Sequence, residues 1–434
     1  MKNSILIRYI ILSLYFISYS GYTDIYSLSK NFFNNVGDNR SIPDGVVTAI
    51  VKDNSGFLWI GTQKGLVKYD GYTYEKYVHE TNNKNSITGN YINSLFVSKD
   101  GQIYIGTLRS GLSIYNPKND TFINFKSKEF DTDSIASNRI DAIVEDSSGN
   151  IWLATYNGVD MLPINSRKFK HFQNIENDPT TINDNRIETL VIDNNGYLWV
   201  GSWNGLNKIN TTNYKVESVY SIPNEVNSFY KQHVTSLIID DQKALWVGTQ
   251  KTGYAKITTD SNITRFNLTK NDLNEPWIWS IIQVSENNIW LGTTGVGIYV
   301  IDKLTGNITK HLKNSISGNT NFDQIGALFV DKDNLIWVGT WGKGLHYYHP
   351  NNSFLSVLPQ NDLDKSNNIT YLNILSMMFH SDGTLWLGTQ NNGLEIRNEQ
   401  WEIVTSNKKG MGIGSPLESA SIRSIYQSNE NDAG

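Results

Sequence analysis

After about residue 30 the chain is a succession of short runs in which apolar and polar residues alternate, as in Val46 to Val51 and Ile187 to Ile192. A period of two over such runs is the pattern of a strand buried on one face. Between the runs stand turns of Asp, Asn, Ser and Gly, such as Asp53-Asn54-Ser55-Gly56 and Asp193-Asn194-Asn195-Gly196, which close hairpins. Each unit reads as four strands. The first alternates and the second carries an aromatic residue. The third begins at a glycine, as in Gly65 before Leu66-Val67-Lys68-Tyr69. The fourth is short and aromatic, as in Tyr74 to Tyr77 or Thr121 to Phe125.

The second strand repeats almost verbatim. Leu58-Trp59-Ile60-Gly61-Thr62 recurs with its aromatic residue at Tyr104, Trp152, Trp199, Trp246, Trp290, Trp337 and Trp386, a spacing of about 47 residues. Eight four-stranded units at that period predict an all-β chain folded as a β-propeller, whose radially stacked sheets bury both faces and leave only short edges. The repeated Trp is expected to fill the wedge between neighbouring sheets. The Gly after it lets backbone pass closely, and the Thr hydroxyl satisfies a turn amide. These residues build the fold and are poor candidates for a site. Two ring sizes fit. Seven blades would close a first ring near residue 365, with the eighth repeat and a partial ninth, Ser421 to Gly434, opening a second ring. A single ring of eight is the alternative. A strand within Leu28 to Phe33 is expected to help close the ring. On the first arrangement the segments are 1–20, a propeller over 21–368, and the start of a second propeller over 369–434.

Composition narrows the function. A net charge of −5 with no long basic run argues against nucleic-acid binding. The absence of cysteine excludes disulfides and Cys-ligated zinc, and suits an oxidising compartment. Lys2 and Arg8 precede or interrupt an apolar N-terminus whose uncharged run, Tyr9 to Tyr19, has 11 residues. Ser18-Tyr19-Ser20 places small residues at a cleavage site. Residues 1–20 therefore read as a secretory signal peptide, because a membrane span needs roughly 20 apolar residues. An uncleaved anchor starting near Ile5 is the alternative.

The unit Asp-x-x-Gly-x-Leu-Trp-Ile-Gly-Thr-x-x-Gly-Leu is carried by Asp53 to Leu66 and Asp193 to Leu206, and Asp70-Gly71 ends the first repeat. It resembles the two-component regulator propeller repeat over nearly all of the chain after residue 30. Repeats five, six and seven depart from it by lacking the Gly before the Trp strand. The resemblance implies the periplasmic, ligand-binding sensor region of a bacterial signal-transduction receptor, of the two-component or cyclic-di-GMP type. Such receptors often carry two seven-bladed propellers, then a β-sandwich, a membrane helix and a histidine kinase or GGDEF diguanylate cyclase output. No kinase phospho-acceptor region or GGDEF run stands in this sequence, so the chain itself is not expected to be an enzyme. It is expected to be part of a longer, inner-membrane-anchored receptor, with homodimerisation an option for the full-length protein. Membrane contact is expected only through a downstream segment or an uncleaved N-terminus.

Candidate site residues follow from topology. In a propeller the loop after each second strand and the loop before each first strand share one face. The former supplies Lys64, Arg109, Tyr156, Trp203, Lys251, Thr294, Trp341 and Asn391. The latter supplies Tyr91, Arg139, Arg186, His233, Trp277, Gln324 and Tyr371. From these, Arg109, Arg139, Tyr156, Arg186, Trp203, His233, Trp277, Trp341 and Tyr371 are the ligand-binding candidates. Aromatic faces suit sugar rings or other flat ligands, and Arg forks suit carboxylates or sulfates. The expected partner is a small molecule or glycan. No catalytic residue, metal or cofactor is expected. His346-x-x-His349 is the only close His pair and reads as a solvent-exposed turn, and Gly295-Val296-Gly297 lacks the strand-to-helix context of a phosphate loop. A sialidase would need an arginine triad that nothing here assembles. A protein-interaction scaffold presenting a flat face is the second reading.

Overall fold

The computed structural model describes residues 33–36, 41–220, 229, 231–269, 276–312, 324–349, 374–380, 382–390, 393–398, 403–406 and 421–426. The segment read as a signal peptide lies outside them. Among the described residues the regular structure is strand throughout, apart from one 3-10 turn at Pro43–Gly45. No helix there is long and apolar enough to cross a membrane.

The strands form eight four-stranded antiparallel sheets, numbered here by repeat. Sheet 1 is typical: Val47–Lys52, Leu58–Thr62, Gly65–Tyr69 and Tyr74–Tyr77 pair in chain order. Its first turn is built by Asp53, whose Oδ1 accepts the amides of Ser55 (2.9 Å) and Phe57 (3.0 Å). Gly56 there takes a left-handed conformation. In repeats five and seven Lys243 and Asn334 adopt that conformation in its place, with φ of 67° and 59°. The amide of Lys243 still bonds Asp240, and that of Asn334 bonds Asp331. The missing glycines therefore strain the turn without changing it.

The chain divides into two compact units, Phe33–Pro350 and Met1–Phe32 with Asn351–Gly434. In the first, seven sheets follow one another. Their inner strands touch in order, and that of sheet 7, Ile325–Val330, touches that of sheet 1. Sheet 7 takes its outermost strand from the N-terminal side: Asn34–Val36 pairs with Leu345–Tyr348. The closing strand thus falls just after the Leu28–Phe33 segment expected to supply it. Phe33 itself packs on Tyr348, with ring centroids 5.6 Å apart. Lys52 of sheet 1 adds an ion pair to Asp331 of sheet 7 at 2.9 Å.

The repeated tryptophans do what their spacing suggests. Trp59 is fully buried among Leu66 of its own sheet and Ile92, Ile103 and Tyr115 of the next. Its indole Nε1 donates to Asp53 Oδ2 at 2.8 Å, so one Asp both builds the turn and satisfies the buried ring. The same bond joins Trp152 to Asp146, Trp199 to Asp193, Trp246 to Asp240 and Trp337 to Asp331. The glycine after the Trp is a close-approach point. A Cβ on Gly248 would lie 2.7 Å from Cγ2 of Ile278 in the next sheet.

Sheet 8, Ile374–Phe379, Leu385–Thr389, Leu394–Arg397 and Ile403–Ser406, belongs to the second unit. Ser376 Oγ donates to the carbonyl of Ile422 at 3.0 Å, and Ile422 N donates to Thr389 O at 2.9 Å. In the ring, Ser94 and Ser236 make the same bond to Ile140 and Ile278, the first residues of the following inner strands. Ile422 therefore stands where a ninth inner strand would begin.

Candidate ligand-binding mouth

Each inner strand of the ring carries a bulge at its start. Val47 and Ala49 pair with Thr62 and Gly61, so that Thr48 has no opposite number. The skipped residues in sheets 2 to 7 are Asn93, Asp141, Glu188, Thr235, Trp279 and Gly326. A bulge re-aims a side chain. All seven of these residues line one cavity of about 290 Å³, to which every inner strand contributes.

Around this cavity the two loop sets meet, as expected. The amide of Trp203 bonds the carbonyl of Arg186 (3.1 Å), that of Thr294 bonds Trp277 (3.1 Å), and that of Trp341 bonds Gln324 (3.0 Å). The inward position is the residue directly after the Thr or Ser of the repeat. Lys64, Arg109 and Lys251 lie one residue further on and are exposed on the turn. Gln63, Leu108 and Gln250 take the inward place instead, with Leu108 N bonded to Tyr91 O and Gln250 N to His233 O, both at 3.0 Å. Arg109 is thus corrected from a mouth residue to a turn residue. Tyr371 and Asn391 lie outside the described residues.

The other seven candidates form one arc of touching groups. Arg139 lies over Tyr156 at 5.1 Å, and Arg186 over Trp203 at 4.7 Å. Tyr156 meets Trp203 edge-on at 6.2 Å, and Trp203 packs on His233 at 4.8 Å. His233 meets Trp277 at 6.3 Å, Trp277 stacks on Trp279 at 6.4 Å, and Trp279 meets Trp341 edge-on at 6.4 Å. Gly326 makes room for the last ring: a Cβ there would lie 2.7 Å from Trp341 Nε1.

Two carboxylates sit beneath the arc, and neither was among the sequence candidates. Arg139 Nε holds Asp141 at 2.8 and 3.0 Å, and Asn93 donates to Asp141 at 2.8 Å. Glu188 receives the Trp203 indole at 2.9 Å. It also stands 3.5 Å from Arg139 and 3.4 Å from His233 Nε2. That last contact is a charge contact when the imidazole is protonated and not a formed hydrogen bond, because His233 Nε2 is buried without a hydrogen-bond partner. Burial, and then the charge of Glu188, push the Asp141 carboxyl up to about 6. Burial also acts to raise Glu188, but His233, the Trp203 indole and the Arg139 charge outweigh it and hold it below the usual carboxylate range.

The arginine forks are not open. Arg139 is engaged by Asp141, and Arg186 by Asp184 at 2.6 and 3.0 Å. Three carboxylates, Asp141, Asp184 and Glu188, face these two guanidinium groups, so the arc carries no surplus of arginine charge. The structure also corrects the His346-x-x-His349 reading. His346 is fully buried in the third strand of sheet 7, where its Nε2 donates to Lys343 O at 2.9 Å, and burial holds its pKa below the imidazole value. Among the described residues no cluster of three His, Cys, Asp or Glu could hold a metal.

Ring and repeat define a β-propeller with a cavity to which all seven inner strands contribute. Four segments of the chain, residues 41–64, 134–157, 181–204 and 321–342, match the family model described as Two component regulator propeller. No curated protein matches the sequence. Among solved structures it is similar to the extracellular domain of BT3049 of B. thetaiotaomicron, assigned as a hybrid two component system. The identity is 23%, with 87% of this chain and 49% of that one covered and a TM-score of 0.66. The extracellular domain of BT4673 from the same organism, assigned as a one component system, gives 23%, 92%, 50% and 0.57. The chain thus spans about half the length of these domains. Virginiamycin B lyase from Staphylococcus aureus is also similar, at 16% identity, 73% and 97% coverage and a TM-score of 0.54. The fold therefore hosts both receptor domains and an enzyme, and function has to be argued from the site.

Proposed function

We propose that this chain is a sensor region of an exported bacterial signal-transduction receptor, and that a small molecule or glycan binds at the mouth of the ring. The observation that carries this reading is the unbroken arc from Arg139 to Trp341 over the buried pair Asp141 and Glu188. Rings stacked around a concave site suit the faces of sugars or other flat ligands. The paired arginines and the carboxylates beneath favour a neutral, hydroxyl-bearing ligand over an acid, because carboxylates accept from hydroxyls. A buried carboxyl held near 6 beside a second one is an arrangement typical of functional sites. Export to the periplasm fits the N-terminal sequence and the extracellular relatives. Signal output through a histidine kinase or a diguanylate cyclase would lie with the full-length, inner-membrane-anchored protein. Sheet 8 and Ile422 are read as the start of a second propeller.

The test is a thermal-shift and calorimetric screen of neutral oligosaccharides and organic acids, followed by Trp203→Ala and Arg186→Ala. The expected result is a neutral ligand whose affinity falls at least tenfold in both variants at little change in melting temperature. Unchanged affinity would remove the mouth as its site. The rim rings Trp277 and Trp341, each 36% exposed, also suit docking of a periplasmic protein. A stoichiometric protein partner with no small-molecule hit would favour that second reading.

A further inference from the structure

A second cavity, of about 370 Å³, opens between sheets 2 and 3 at the end of the ring opposite the mouth, where the turns from first to second strands lie. The sequence explains why this wedge is hollow. Repeat two has Tyr104 where the other repeats have Trp, and Ser98 where five of them have the Asp that bonds the indole. In addition, the outer strand of sheet 3 is only Lys170–Phe172, so that Leu162 has no partner on that side, whereas the outer strand of sheet 2 pairs over five residues. The apolar wall is made by Tyr104, Ile114, Phe125, Ile151 and Leu162.

Two groups in this pocket are left without partners. Tyr104 is 8% exposed, and its hydroxyl has no hydrogen-bond partner among the described residues, whereas five of the indoles in its repeat position bond an Asp. Burial, and then the charges of Asp100 and Glu145, push its pKa up to about 12, so the hydroxyl stays protonated and can donate. The hydroxyl is not among the sealed, unsatisfied side-chain atoms, so it is open to water or to whatever fills the pocket. At the rim, Lys99 is engaged by the Asp146 carbonyl (2.9 Å), Asp100 by Ser98 and Gln102, and Glu145 accepts the Lys99 amide (2.8 Å). Arg167 is exposed and forms no ion pair among the described residues.

We infer that this inter-blade pocket is a second ligand site, which takes a small aromatic carboxylic acid: the ring against the apolar wall, its polar edge on the Tyr104 hydroxyl, and the carboxylate on Arg167. The volume is that of a small-molecule site, and Arg is the side chain whose planar fork fits a carboxylate. The pocket is independent of the mouth and would give the ring a second input.

The test is calorimetry of the full chain with indole-3-acetate and with tryptamine, which share a ring and differ in head-group charge. The acid should bind at least tenfold more tightly than the amine, and Arg167→Gln should weaken it at least fivefold. The double variant Ser98→Asp/Tyr104→Trp restores the repeat pattern and fills the wedge. It should abolish binding while raising the melting temperature. Trp203→Ala at the mouth should leave binding unchanged. No binding of the acid at millimolar concentration, equal binding of tryptamine, or binding that survives in the double variant would each overturn the proposal. Loss of binding in Trp203→Ala would do the same, by placing the acid at the mouth.

Discussion

Asp141→Asn should make the protein more stable at neutral pH and leave it unchanged in acid. The Asp141 side chain is 6% exposed, next to Glu188. Its carboxyl is raised from an ordinary value of 3.8 to about 6, so the folded protein binds this proton more tightly than the unfolded chain does. Between about pH 4 and 6 the folded state holds the proton that the unfolded state has lost, and stability falls as pH rises. Above about pH 6 the penalty is complete, at about 3 kcal/mol for a difference of that size. Glu188, held below its usual range, acts in the opposite sense: its contribution is present above that range and is lost on acidification. Asparagine matches the protonated aspartic acid in shape and removes the charge. Urea denaturation of both proteins from pH 4 to pH 8 should give coincident curves near pH 4. Near pH 7.5 the variant should gain about 1–3 kcal/mol, since some of the Arg139 attraction is lost with the charge. A variant less stable than the parent at pH 7.5 would mean that the Arg139 pair outweighs burial and Glu188, and would refute the reasoning. The same substitution should weaken ligand binding, because a group retained at a cost in stability belongs to the site and not to the scaffold.

Ring closure and the second unit give two further expectations. Lys52→Met removes the 2.9 Å ion pair to Asp331, whose side chain is 1% exposed, and with it a link between sheets 1 and 7. It should cost about 1–3 kcal/mol in thermal or chemical denaturation, against roughly zero for the exposed Lys128–Asp131 pair. Asp331 is held below its usual range by Lys52 and Trp337 against the effect of burial, so this contribution is present above that range and fades as pH falls through it. In sheet 8, Met377 is 62% exposed, whereas Ile281 at the equivalent position in the ring is 7% exposed. Limited proteolysis read by mass spectrometry should therefore trim sheet 8 and leave a core ending between about residues 350 and 365. A core that keeps Trp386 would count against a second ring starting there.

The framework was legible because it is written eight times. A Trp, a Gly and a Thr at fixed places can be recognised by comparing the chain with itself, and their buried positions follow from the wedge each sheet must fill. The Asp six residues before the Trp was readable as a turn former, but its bond to the indole was not, because it depends on how the hairpin folds back. The mouth was half legible. Topology brought seven of nine candidates together, and Arg109 was misplaced because it stands two residues after the Thr of its repeat, whereas the inward side chain stands directly after the Thr, as Tyr156 and Trp341 do. Thr62 bonds the carbonyl of a glycine three residues on, whereas Thr107 bonds one four residues on. In turns of either length the inward side chain is the residue directly after the Thr or Ser, as Trp203 shows in a shorter turn and Leu108 and Trp341 in longer ones.

Asp141, Glu188 and Trp279 were missed for a different reason. In an alternating strand the second residue reads as the solvent face, and a bulge leaves no trace in the period. The repeats nevertheless contain a usable signal. The first residues of the seven inner strands are all Val or Ile, namely Val47, Ile92, Ile140, Ile187, Val234, Ile278 and Ile325. The residues directly after them are Thr48, Asn93, Asp141, Glu188, Thr235, Trp279 and Gly326. Packing fixes the first set, because six of the seven meet the glycine of the preceding sheet, as Ile278 meets Gly248, and Ile187 follows the sheet that has Ala154 in the glycine's place. Nothing in the framework fixes the second. A position that stays structurally equivalent around a ring while its chemistry runs from glycine to tryptophan to carboxylate is one where the scaffold imposes no choice, and that freedom is what makes these seven positions the ones to substitute in testing the proposed mouth.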